Sequence, residues 1–141
     1  MEPVAGTPAD LPEILALLTA AGLPAARLGE HGPTDLFVVR VGGRLVGAAA
    51  LEHHDGDGLL RSVVVAEELR GTGLGRRLTE AALAAAAAAD LRSVRLLTET
   101  APGFFAHLGF ERFDRSDAPP AIAASEEFAV ACPDSAVAMM R

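Results

Sequence analysis

At 141 residues the chain has the length of one domain, 1–141, able to bury roughly two thirds of the surface its unfolded form exposes without a disulfide or a structural metal. Hydrophobic residues make up 50% of it, yet no unbroken apolar run reaches the ~20 residues of a membrane span, which speaks against a membrane protein. The net charge of −7 and a pI near 5.0 speak against nucleic acid as the principal partner.

Met1-Glu2-Pro3-Val4 opens the chain with no basic, apolar signal segment, so a cytoplasmic location is expected. Residues 1–6 read as a short strand, and Thr7-Pro8-Ala9-Asp10 as a helix start. Ile14, Leu15, Leu17 and Leu18 supply that helix's apolar face until Gly22 and Pro24 stop it. A weak second helix is suggested around residues 25–28. Residues 36–41 and 45–51 are β-rich runs separated by Gly42-Gly43-Arg44, the pattern of a hairpin. His53-His54-Asp55-Gly56-Asp57-Gly58 lacks the further ligands of a calcium loop and reads as a solvated hairpin tip, with no metal expected.

Residues 59–65 form a buried strand ending in Val63-Val64-Val65, followed by Arg70-Gly71-Thr72-Gly73-Leu74-Gly75-Arg76-Arg77-Leu78. A helix runs from Leu74 to about Ala89, and a second buried strand covers residues 93–98. Strand, loop, helix and strand make a right-handed βαβ crossover, so the two strands should be parallel. Thr100 offers a cap for a helix with Pro102 in its first turn, ending at Gly109. Residues 110–113 return as a strand, Pro119-Pro120 opens a short helix or loop to Phe128, and residues 136–140 supply the last strand.

The glycine-rich loop aims several backbone N–H groups at one point. Such a helix start binds phosphate through its orphan amides and the positive end of its dipole. A Walker-type loop needs a lysine after its last glycine, and the chain contains none. A dinucleotide fingerprint needs its third glycine where Arg76 stands. What remains is Arg/Gln-x-x-Gly-x-Gly/Ala, and residues 70–75 resemble the acetyl-coenzyme A loop of the GNAT superfamily of N-acetyltransferases.

The element order is also similar to that of the GNAT fold, an α/β (α+β) architecture with a mixed central sheet of six to seven strands and helices on both faces. The resemblance implies acetyl-CoA as cosubstrate. Main-chain groups of Val63 and Val65, with Val64 between them, would hold the pantetheine arm and thioester oxygen. The amides of Gly71, Thr72, Gly73, Leu74, Gly75 and Arg76 would hold the pyrophosphate, with Arg70 just before them. Thr100 and Phe105 would lie near the thioester. Many GNAT enzymes carry Phe-Tyr before Leu-Gly-Phe, the tyrosine protonating the leaving thiolate. Here the segment is Phe104-Phe105-Ala106-His107-Leu108-Gly109-Phe110, and Phe105 has no proton to give. The thiolate then leaves unassisted, or Thr100 serves. His107 lies about 200° around the helix from Phe105 and is expected at the surface.

No carboxylate stands on the strand before the loop, where several family members place their base. Glu99 and Glu52, each at a strand end, are the candidate bases. Arg61, inside an apolar strand beside the gap, must pair or bind something. It either holds a substrate carboxylate or forms an internal salt bridge with Glu52, Glu99 or another carboxylate. Cys132 reads as a small buried hydrophobe, so direct attack by the amine is favoured over a ping-pong route.

The second half, Leu96-Leu97-Thr98-Glu99-Thr100-Ala101 with Phe104-Phe105, Arg115, Ile122, Phe128 and Cys132-Pro133-Asp134-Ser135-Ala136, resembles the amino-acid acetyltransferases of arsenic-resistance gene clusters and short N-acetylglutamate synthases. It implies a small amino-acid-like amine acceptor, with Arg61 and Arg115 as carboxylate partners, and leaves room for a homodimer. A catalytically lapsed acetyl-CoA-binding module and a peptide or protein N-acetyltransferase are the competing readings.

Overall fold

The computed structural model describes residues 1–25, 28–30, 32–131 and 135–141. The suggested helix at 25–28 and the loop holding Cys132 therefore fall wholly or partly outside the described residues. Among the described residues seven strands form one sheet in the order β1-β2-β3-β4-β5-β7-β6. They are β1 (Val4–Ala5), β2 (Thr34–Val41), β3 (Arg44–His54), β4 (Asp57–Val65), β5 (Val94–Thr98), β6 (Glu111–Arg112) and β7 (Val137–Met140). Only β4 and β5 pair in parallel, as a crossover through a helix requires. The other neighbours are antiparallel.

Two-residue turns set the register of the long strands. Gly42 and Gly43 both have positive φ (57° and 80°) between paired Val41 and Arg44. Asp55 and Gly56 do the same (52° and 85°) between His54 and Asp57. Left-handed angles at both central residues match the strand twist, and Asp-Gly is a preferred pair for them. The expected solvated tip at 53–58 is thus reduced to Asp55-Gly56. His54 and Asp57 belong to strands, and Asp57 is buried, accepting from Ser93 Oγ at 2.9 Å and from Arg92 Nη2 at 3.0 Å.

Helices cover both faces. Helix α1 (Leu11–Ala20) packs Ile14 and Leu18 on Leu36, Val38, Ala48, Ala50 and Val64. On the opposite face, α2 (Leu74–Ala88) buries Leu74, Leu78, Ala82 and Ala86 against Val46, Leu51, Leu60 and Leu96. Each such leucine contributes about 1.5–3 kcal/mol by leaving water. Helix α3 (Pro102–His107) adds Phe105 to that layer. The short α4 (Pro120–Ala123) sets Ile122 beside Leu59, Leu97 and Phe128. A π-helical turn, Glu127–Ala131, follows.

Thr100 does not cap α3. The amide of Ala101, its N-cap residue, donates to Thr98 Oγ1 at 3.0 Å, and Thr100 is left exposed. Among the described residues no helix is long and apolar enough to cross a membrane, and no group of three or more His, Cys, Asp or Glu could hold a metal.

Candidate active site

The parallel ladder joins Gly58 to Val94 and Leu59 to Arg95, near the start of both strands. Beyond it, residues 60–65 and 96–101 form facing walls of a cleft of about 670 Å³. A bulge bends β4 where the strands part. Ala50 pairs with Arg61 but Ala48 with Val64, so Ser62 and Val63 together stand opposite Ala49. Ser62 has φ of 61°, a left-handed angle that costs a non-glycine residue of order 1 kcal/mol. Nothing in the local sequence signals this kink.

The glycine loop closes one side of the cleft. Gly71 and Gly73 have φ of 80° and 86°, and a Cβ on either would meet no atom within 4 Å. The approach to the main chain there is open. Gly73 is the N-cap of α2, and among the described residues no side chain caps it and no acidic residue lies in its first turn. The first amide to find a helical partner is that of Arg77, which donates to Gly73 O at 3.1 Å. The amides before it are the orphan donors of the helix start. An anion is the fitting ligand, and a pyrophosphate bound through main-chain amides suits this geometry.

Gly75 serves another purpose, since a Cβ there would lie 3.4 Å from the Phe104 ring; its absence lets α3 approach α2. Thr72 Oγ1 donates to Leu69 O at 2.6 Å, and Arg70 Nε donates to Val65 O at 3.3 Å, tying the loop to the end of β4. Arg70, Gly71, Gly73, Leu74, Gly75 and Arg76 all line the cleft, as do Val63, Val64, Val65, Thr100 and Phe105. Phe105 stands edge-on to Phe104 and Phe110, with ring centroids 5.0 and 5.6 Å away.

A buried polar cluster forms the other side. The side chain of Arg61 is 0% exposed. Its Nη1 lies 3.3 Å from Glu52 Oε2 and its Nε 3.5 Å from Glu127 Oε2. Glu52 is completely buried and accepts from His54 Nε2 at 2.8 Å. Burial pushes the Glu52 carboxyl up, but the His54 hydrogen bond and the Arg61 charge outweigh it and hold the group below the ordinary carboxylate range. Arg61 and Glu127 line the cleft; Glu52 sits behind them. Glu99 is exposed in the cleft wall at the end of β5. Arg115 lies apart from the cleft, donating from Nη2 to Phe128 O at 2.8 Å with its guanidinium over the Phe128 ring.

Of the expected site residues, the structure brings Arg70, Gly71 and Gly73–Arg76 of the loop, Val63–Val65 of β4, Thr100, Phe105, Glu99 and Arg61 around one cleft, and leaves Thr72, Glu52 and Arg115 outside its lining. Sequence reasoning missed Glu127 and the wall formed by residues 21–24. It also missed the Glu52–His54 pair, although an i, i+2 spacing on one strand puts both side chains on one face.

A splayed parallel strand pair, with an uncapped glycine-rich helix start at its mouth, defines an acyltransferase fold of the kind that takes its acyl group from a coenzyme A thioester. Residues 32–112 match the acetyltransferase (GNAT) domain family, more than half of the chain. The chain belongs to this family, whose N-acetyltransferases use acetyl-CoA.

A stretch of 53 residues is 47% identical to mouse (Mus musculus) N-alpha-acetyltransferase 80, covering 38% of this chain and only 17% of that protein. Among solved structures, the Mycobacterium tuberculosis protein Rv2747 in complex with CoA and NLQ superposes with a TM-score of 0.80 at 21% identity, covering 99% of this chain and 98% of its own. N-acetylglutamate synthase from Neisseria gonorrhoeae, complexed with coenzyme A and N-acetyl-glutamate, gives 0.80 at 19% identity, over 99% of this chain and 34% of that one. At these identities the superpositions establish the fold alone.

Proposed function

We propose that this chain transfers the acetyl group of acetyl-CoA to the amine of a small, amino-acid-like acceptor by direct attack. The observation that carries the proposal is the cleft itself. An uncapped helix start with two left-handed glycines lies on one side of it and a buried arginine–carboxylate cluster on the other. Acetyl-CoA supplies an acyl group activated as a thioester. The amides of residues 73–76 would hold its pyrophosphate, with Gly71, Thr72 and Arg70 shaping the approach. The main chain of Val63–Val65 would direct the pantetheine arm along the gap. Phe105 and Thr100 would flank the thioester, Thr100 offering the hydroxyl that Phe105 lacks. A thiol of modest pKa also leaves as thiolate without an acid.

Of the two candidate bases, Glu99 faces the cleft, whereas Glu52 is held ionised behind Arg61. Arg61 would orient the carboxylate of an amino-acid acceptor only by releasing Glu52 or Glu127. Arg115 would do so only by leaving Phe128. The likeness of the second half to the acetyltransferases of arsenic-resistance clusters extends the acceptor class to amino-acid analogues bearing arsenic or phosphorus acids. A second reading, acetylation of peptide N-termini, is favoured by the matched segment of N-alpha-acetyltransferase 80. A thiol-release assay across free amino acids, those analogues and short peptides tests the proposal. Free amino acids or their analogues should be preferred; preference for peptides would reverse the ranking, and coenzyme A binding without turnover would indicate a lapsed enzyme.

A further inference from the structure

Ser62 holds a φ of 61°, an angle that serine has no intrinsic reason to adopt. Strain of this kind persists only where the surrounding structure imposes it, and it clusters at reaction centres. Here the bulge against Ala49 imposes it, beyond Leu59, the last residue of β4 to pair with β5, where the cleft opens. Arg61 and Val64 on either side are buried, whereas Ser62 is half-buried and lines the cleft. Its Oγ accepts from Arg61 Nε at 3.3 Å. That leaves its own hydrogen to donate, and a guanidinium bonded to the oxygen polarises the O–H. Among the described residues lining the cleft, Thr98 and Thr100 also carry hydroxyls. Thr98 Oγ1 is taken up by the Ala101 amide, and Thr100 stands exposed at the end of the β5 wall. Ser62 lies instead in the β4 wall, roughly 10 Å along the strand from Val65, to which Arg70 ties the glycine loop. A cofactor whose pyrophosphate lies at that loop, and whose arm follows Val65 to Val63, brings its reactive end to Ser62.

We infer that the Ser62 hydroxyl donates a hydrogen bond to the acetyl oxygen of the thioester and to the oxyanion it becomes. The inference rests on the acetyltransferase reading above and adds to it a catalytic residue on β4. The lone pair of the neutral amine forms the C–N bond, and the carbonyl π pair moves onto oxygen. Ser62 donates to that negative oxygen and keeps its proton throughout. The pair then restores the C=O bond as the C–S bond breaks, the electrons of that bond going to sulfur, where the proton shed by nitrogen ends. A donor fixed in place before the reaction stabilises the developing charge without reorganising, and the bulge is what fixes Ser62.

The test uses two variants of the full chain. Glycine adopts a positive φ without strain, so Ser62→Gly deletes the hydroxyl and keeps the backbone. Its thermal midpoint should equal or exceed the parent's, and its acetyl-CoA affinity by calorimetry should be unchanged. Its kcat with an amino-acid acceptor should nevertheless fall by about a hundred- to a thousandfold. Ser62→Cys keeps the size of the side chain but donates only weakly, and it should lose most of kcat as well. Undiminished kcat in either variant, or a loss that falls on acetyl-CoA affinity instead of kcat, overturns the inference while the acetyltransferase reading stands. Wild-type protein that acetylates no amine overturns that reading and this inference with it.

Discussion

Arg61 is sealed from solvent between two carboxylates, and that placement determines what its removal does. A buried pair broken by deleting one partner leaves an uncompensated charge, at a cost of about 3–5 kcal/mol. Arg61→Met should therefore lower the thermal midpoint by about 10 °C or more, measured by circular dichroism. Adding Glu52→Gln should recover part of the loss, since one of the two stranded carboxylates is then neutral. A shift of under a degree in the single variant would contradict the burial of the pair. Glu52 adds a pH dependence. Its carboxyl titrates below the ordinary 4.5 in the folded chain, so below that value the unfolded chain binds more protons than the folded one. The corresponding stability is complete above the ordinary value and is lost as pH falls through the folded one. Glu52→Gln should show a shallower fall in stability below about pH 4.5 than the parent does. Parallel curves would mean that Glu52 is not held ionised.

At the scale of elements, the glycine loop was legible because its signals are local. A β-branched run, left-handed glycines and a helix former stand next to one another in sequence, and no distant partner is needed to read them. Gly73→Asp puts a side chain and a negative charge at the uncapped start of α2, whereas Gly73→Asn changes shape almost equally without the charge. Both residues tolerate a left-handed angle better than most. Calorimetry should show coenzyme A binding weakened far more by Asp than by Asn, with both variants folded. Equal affinities would remove the anion-binding role of the loop. The Ser62 bulge was illegible for the opposite reason. Serine carries no preference for a left-handed strand position, and the extra residue is imposed by pairing with β3. Thr100 was read as the cap of α3, but Thr98, one turn earlier and still in β5, has the hydroxyl within reach of the Ala101 amide.

Across the whole molecule, the β2–β3–β4 hairpins and the parallel β4–β5 pair followed from the βαβ signal and short turns, both properties of neighbouring segments. Glu127 could not be read this way, because its meeting with Arg61 requires the segment between β6 and β7 to fold back over β4, where Ile122 and Phe128 pack with Leu59. No spacing along the sequence encodes that contact. Ligand binding should report on the whole fold, since the cleft draws on both strand walls, the loop and α3. Acetyl-CoA at about a hundred times its Kd should add about 2.7 kcal/mol to stability. That raises the thermal midpoint by several degrees, and an unmoved midpoint in differential scanning calorimetry would count against the cleft as its site.

The most direct test of the central claim is a stoichiometric one: thiol released and N-acetylated product counted together, by coupled absorbance and mass spectrometry, for the full chain with acetyl-CoA and a free amino-acid acceptor. The account predicts thiol release that depends on the acceptor and matches N-acetyl product one for one. Thiol release that ignores the acceptor, or coenzyme A binding with no acetylated amine at all, would contradict it.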